Sequence, residues 1–176
     1  MGTNGTGNIA AFTAVNTGSS PEIATITVSP TFTNDGESCT GPSQSFTITV
    51  NPSGQVNAPS DQVVCNGNST AEVIFSTNNT GGTTTYSWTN DNTSIGLGTN
   101  GTGNIAAFTA VNTGTSPVIA TISVTPTYSN GGESCTGTPQ SFTITVNPSG
   151  QVNDPSDQVI CNGSPTVAVT FTTNNT

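Results

Sequence analysis

The chain repeats itself. Residues 2–80 align with residues 98–176 at a constant offset of 96, with no insertion, and about four residues in five are identical. The stretch GTNGTGNIAAFTAVNTG stands unchanged at 2–18 and 98–114. A period of this length is that of a whole small domain, whereas solenoid units run to roughly 20–50 residues. The fold must therefore be one that follows itself along the chain. The turn signal Asn51-Pro52-Ser53-Gly54 returns as Asn147-Pro148-Ser149-Gly150. Cutting there gives the C-terminal part of a first repeat at 1–52, a complete repeat at 53–148 and the N-terminal part of a third at 149–176. Joined, the two partial copies still lack the counterpart of 81–97, including Trp88. The expectation is a window on a longer repetitive polypeptide. As a polymerising fragment, the same chain would leave strand edges open for pairing with other chains.

Within the complete repeat the main signal is period-two alternation with β-branched and aromatic residues, the pattern of half-buried strands. Phe142, Ile144 and Val146 share one face of a strand at 141–146, and Thr143 and Thr145 the other. Ala120, Ile122 and Val124 do the same in 118–127, where Pro126 limits pairing near the end. A strand is expected from Ala71 to Thr77 with Val73 and Phe75 inward. The copies support that register, because outward Glu72 and Ile74 become Ala168 and Thr170 while Val73 and Phe75 return as Val169 and Phe171. Thr84, Tyr86 and Trp88 share one parity, which places the tryptophan in the core on a central strand. Asn104–Val111 is read as a strand whose inward residue is either Ile105 or Phe108, and a first strand is placed around Val56–Val64. No segment has a helical period. About seven short strands between Gly-, Asn- and Pro-rich turns predict an all-β chain of tandem immunoglobulin-like antiparallel β-sandwiches.

Composition narrows the function. The chain has no Lys, Arg or His, nine acids and a formal charge of −9. With no cation to release counterions from phosphates, nucleic acid is excluded as a partner, and anionic membrane surfaces are disfavoured. No apolar run is long enough to insert into a bilayer, and residues 1–20 lack a signal-peptide pattern. Nucleophilic catalysis would need a base beside a hydroxyl or thiol, and only scattered carboxylates are present, so no catalytic residue is assigned.

Several motifs have plainer readings. Gly101-x-Gly103-x-x-Ala106 has the spacing of a dinucleotide-binding loop but is followed by β-branched residues where that loop needs a helix. No cofactor is expected. Calcium is the one ion offered ligands, at Asn90-Asp91-Asn92 and at Asn34, Asp35 and Glu37; since Asp35 becomes Gly131, ordinary Asx-turn chemistry is preferred. Sequons begin at Asn4, Asn68, Asn78, Asn92, Asn100, Asn162 and Asn174, a number that an Asn/Thr-rich chain yields by chance. Threonine rows such as TITV suit a strand's solvent face without any ligand.

The cysteines Cys39, Cys65, Cys135 and Cys161 lie in polar turns without metal-ligand spacing, and disulfides in an oxidising compartment are expected. On the strand assignment, Cys65 and Cys135 lie at opposite ends of one sandwich, roughly 20–25 Å of strand apart, and a disulfide needs Cα atoms within about 7 Å. A staple between consecutive repeats, joining Cys65 to a cysteine 166 residues further on, is favoured over Cys65–Cys135.

DQVVCNG, YSWTNDNTSIGL, GTGNIAAFTAVNTG, PVIATISVTPTYSNGGESCTG and SFTITVNP, in that order, resemble the PKD-like repeats of very large secreted surface proteins of Bacteroidetes. The resemblance covers the full period. It departs from ordinary PKD domains after Trp88, where Thr89-Asn90-Asp91-Asn92 replaces an Asp-Phe-Gly-Asp-Gly-like stretch. It implies an Ig-like sandwich in the stalk of an extracellular, cell-surface adhesin or filament exported by type IX secretion, with neighbouring copies of the same repeat as partners. The alternative is a glycan- or calcium-binding adhesion module.

Overall fold

The computed structural model of the chain describes residues 5–176, so the sequon at Asn4 lies outside the described residues. It is built almost entirely of strands: β1 (Glu22–Val28), β2 (Thr31–Asn34), β3 (Glu37–Thr40), β4 (Gln44–Val50), β5 (Gln62–Cys65), β6 (Thr83–Asn90), β7 (Asn100–Thr102), β8 (Val118–Asn130), β9 (Glu133–Thr136) and β10 (Gln140–Asn147). Among the described residues the only helical turn is a 3₁₀ turn at Thr93–Ile95. The chain divides into two compact units.

One unit contains residues 56–77, 85–126 and 138–176. Its sheet has the order β5-β10-β8-β6-β7. The strands β8 and β10 are antiparallel with Ile122 opposite Phe142, and β5 runs parallel to β10 with Val64 opposite Val146. Their inward residues are the alternating ones expected: Ala120, Ile122, Val124, Phe142, Ile144 and Val146 are all buried. The core is completed by Val73, Phe75, Trp88, Ile95, Leu97, Ile105 and Ala110, with Tyr86 and Phe108 packed at its margin.

Among the described residues, the other unit contains 5–55, 78–84 and 127–137. Here β1 and β4 pair in the same register as β8 and β10, with Ile26 opposite Phe46, and β2 and β3 form a hairpin. The hairpin turns at Asp35-Gly36, both with positive φ (47° and 85°), as do Gly131 and Gly132 at the turn between β8 and β9. Asp35 and Gly131 thus occupy the same left-handed position, which glycine adopts without the Cβ penalty.

Two expected strands are corrected. Ala71–Thr77 and Asn104–Val111 are extended but join only through the isolated bridges Ser69–Thr109 and Val73–Ile105. The inward positions were nevertheless right for Val73 and Phe75, and Ile105, 2% exposed, is the inward residue of its segment. The first strand is confined to Gln62–Cys65. Side-chain alternation fixed which way these segments face, but pairing was pre-empted by side-chain bonds to the main chain. Gln62 takes the N–H and C=O of Ala71, and Asn104 takes the N–H of Phe75. Pro126 does not end β8. It falls between the Val124–Gln140 pair and the Thr127–Thr136 pair, where the partner strand changes from β10 to β9.

Candidate functional site

The glycine motif builds a wall of the core. Gly101 lies in β7 opposite Trp88, and a Cβ there would overlap the six-membered indole ring. Gly103 has φ +68°, and no helix follows it: the chain beyond forms only isolated bridges at Ile105 and Thr109. The glycines are thus explained by ring contact and backbone conformation. Trp88 is buried, and among the described residues its Nε1 has no hydrogen-bond partner.

The Asn90-Asp91-Asn92 loop is bound to the main chain. Buried Asn90 donates through Nδ2 to the carbonyls of Asn92, Leu97 and Gly98 and accepts at Oδ1 from the Asn92 N–H. Asp91 Oδ1 accepts from the Thr121 N–H at 2.7 Å, and Asn92 Oδ1 caps the 3₁₀ turn through the Ser94 N–H. In the other acidic cluster, Asn34 Nδ2 donates to Asp35 Oδ2 at 3.3 Å across the exposed hairpin turn.

All four cysteines are free thiols. Cys65 ends β5 opposite Asn147, and the next residue, Asn66, donates its N–H to the Asn147 carbonyl and its Nδ2 to Ser149 Oγ. Cys135 stands opposite Tyr128 in the β8–β9 pair, and its carbonyl accepts the Gly54 N–H at 3.1 Å. Cys39 occupies the matching place opposite Phe32, and Cys161 is exposed.

The most elaborate constellation is one the sequence reading missed. Around the NPSG linker, Asn79 reaches two other stretches of chain. Its Nδ2 donates to the carbonyls of Ser19 and Ser53, at 3.4 and 3.2 Å, and its Oδ1 accepts the Gln55 N–H at 2.7 Å. Beside it the Thr80 N–H donates to the Ser19 carbonyl at 2.8 Å, and the Tyr128 hydroxyl donates to the Thr80 carbonyl at 3.0 Å. The Ser19 carbonyl is presented by a loop tied by Asn16, whose Nδ2 donates to the carbonyls of Ser20 and Val50.

Ninety-six residues later the same bonds recur in the other unit. Asn175 Nδ2 donates to the carbonyls of Thr115 and Ser149 at 3.3 and 3.1 Å, its Oδ1 accepts the Gln151 N–H at 2.8 Å, and the Thr176 N–H donates to the Thr115 carbonyl at 3.1 Å. Asn112 ties the supporting loop as Asn16 does, through the carbonyls of Ser116 and Val146. The signal was present: Asn-Asn-Thr is kept at 78–80 and 174–176, while 71, 72, 74 and 76 all change between copies. Read as generic turn residues, these asparagines gave no hint of partners 26 and 60 residues away.

Chemically, this clasp offers no nucleophile, acid or base. The Asn79 and Asn175 bonds are those of neutral amides on main-chain groups, and they hold Asn79 to Ser19, Ser53 and Gln55 and Asn175 to Thr115, Ser149 and Gln151. Comparison with family models, curated proteins and solved structures found no match for this chain.

Proposed function

We propose that the chain is part of a tandem array of Ig-like, PKD-like sandwiches that serves as a structural spacer in an extracellular stalk or filament, with neighbouring copies of the repeat as its partners. The observation that carries this reading is the recurrence of the Asn79 bonds at Asn175. A joint that returns at every period with the same geometry gives an array a defined trajectory. Flexible linkers between repeats would leave it undefined. Absence of Lys and Arg suits exposure, since trypsin-like proteases have no cleavage site.

The same joint favours the staple between repeats. Cys65 faces Asn147 at one end of the linker, and the Gly54–Cys135 bond, carried forward by one period, brings the next hairpin cysteine to Gly150 at its other end. Non-reducing peptide mapping of an oxidised three-repeat polypeptide checks this, and a Cys65–Cys135 linkage would refute it.

The spacer reading is tested by small-angle scattering of the three-repeat polypeptide. A maximum dimension that grows linearly with repeat number, and shrinks when the Asn79-type residues are changed to Ala, is expected. A chain as compliant as a flexibly linked one, or specific glycan or calcium binding by a single repeat, would overturn it.

A further inference from the structure

Four of the Asn-x-Ser/Thr sequons fall inside the complete repeat, at Asn68, Asn78, Asn92 and Asn100. Attachment of a glycan to an asparagine amide needs that amide in solvent and the hydroxyl two residues on free to take part in recognition. The structure sets three of the four aside. Asn92 is engaged with the main chain: its Nδ2 donates to the Ile119 carbonyl and its Oδ1 accepts the Ser94 N–H. Beyond Asn68, Thr70 is buried, and its hydroxyl both donates to the Phe108 carbonyl and accepts the Phe108 N–H. Asn100 and Thr102 are exposed, but both belong to the β7 ladder, opposite Thr89 and Ser87, and Gly101 between them lies against the Trp88 ring. Presenting that tripeptide to an enzyme would unpair β7 and uncover the tryptophan.

Asn78-Asn79-Thr80 differs on each count. It lies outside the strands, and Asn78 and Thr80 are exposed. Among the described residues, neither the Asn78 side chain nor the Thr80 hydroxyl has a hydrogen-bond partner. Thr80 joins the clasp through its main chain alone, with its N–H on Ser19 and its carbonyl accepting from Tyr128. The clasp therefore accounts for the side chain of Asn79 and for neither of its neighbours. The two copies leave the same remainder. Between 71 and 80 the exposed positions are 71, 72, 74, 76, 78 and 80. Ala71, Glu72, Ile74 and Ser76 become Val167, Ala168, Thr170 and Thr172, whereas Asn78 and Thr80 return as Asn174 and Thr176. Exposed side chains without partners can change at little cost in stability. The two that do not change are the two a sequon requires.

We infer that Asn78, and its equivalent in each copy of the repeat, is an N-glycosylation site, which puts one carbohydrate chain per period beside the clasp. The acceptor atom is Asn78 Nδ2, and the co-reactant is a glycosyl pyrophosphate brought by a transferase of the cell. The bond from the anomeric carbon to the phosphate oxygen breaks, the bond from that carbon to Nδ2 forms, and one amide proton leaves with the pyrophosphate. The extracellular setting is the one proposed above; the attachment goes beyond it.

Chymotryptic mapping of the protein from its native source tests this. Cleavage after Phe75 and Tyr86 isolates Ser76–Tyr86, which contains Asn78 and no other sequon; Asn68 falls in Thr47–Phe75, and Asn92 and Asn100 fall in Thr89–Phe108. Ser76–Tyr86 is expected to carry a carbohydrate mass that fragmentation assigns to Asn78, and the other two peptides to have their unmodified masses. In the same host, Asn78→Gln and Thr80→Val should each remove that mass and Thr80→Ser should keep it. Circular dichroism should be unchanged throughout, because the clasp uses neither substituted side chain. A bare Ser76–Tyr86 peptide, a modification that survives Thr80→Val, or carbohydrate on Asn92 or Asn100 with Asn78 bare would overturn the inference. A bare peptide would leave the scattering test of the spacer untouched, and a compliant array would leave this site untouched.

Discussion

Gly101 shows how one residue connects sequence to packing. Because a Cβ at Gly101 would overlap the Trp88 ring, Gly101→Ala must displace the ring or the strand, and a loss of about 1–3 kcal/mol is expected. Gly98→Ala, which meets nothing within 4 Å, is expected to stay within about 0.5 kcal/mol; urea denaturation of the two variants reads the difference. Near by, burial raises the Tyr86 hydroxyl above its ordinary value, opposed by a hydrogen bond with Thr77. The folded state therefore holds this proton more tightly. Its contribution to stability is complete below about pH 10 and is lost as pH rises through the folded value. Denaturant midpoints should fall above that pH, and Tyr86→Phe should remove part of the fall. The tryptophan's burial was legible from the parity of Thr84, Tyr86 and Trp88. Its contact with Gly101 was not, because nothing local reveals which strand a glycine will face.

At the scale of the strand, identical sequence does not give identical burial. β4 and β10 share Ser-Phe-Thr-Ile-Thr-Val, yet Phe46 is half exposed and Phe142 is buried. Phe142→Ala is expected to cost about 3–5 kcal/mol, and Phe46→Ala less than about half of that in dilute solution, since only part of its surface leaves water. Thermal unfolding of both variants at low concentration checks the ranking. The alternating strands at 118–130 and 140–147 were readable because one face must be apolar and the other polar. Ala71–Thr77 was readable only as a facing, because Gln62 satisfies main-chain groups that a strand partner would otherwise take. A side chain that competes with a ladder leaves no mark on hydrophobic periodicity.

For the molecule as a whole, charge and joint act differently. The chain carries nine acids and no Lys, Arg or His to offset them, a formal charge of −9. Association between copies should therefore strengthen as salt screens the repulsion, by roughly several-fold between 20 and 200 mM, as a sedimentation series would show. The clasp has no charged member, so Asn79→Ala should weaken it alike at low and high salt. A loss of about 1–2 kcal/mol is expected from unpairing the Ser53 carbonyl and the Gln55 N–H and from leaving the Ser19 carbonyl with the Thr80 N–H alone. Hydrogen exchange at Gln55 across the same salt range checks this.

Ser19 stands where the later copy has Thr115, and the bond to Asn79 or Asn175 is the same because both offer only a carbonyl. A joint that reads main chain on one side and a single amide on the other places almost no demand on the sequences it connects. In the tandem array proposed above, copies could drift apart, be gained or be lost through recombination between near-identical stretches, and any copy that keeps this asparagine would still fit behind any other. Length would then be a trait the gene could change in whole steps, without inventing a new coupling each time.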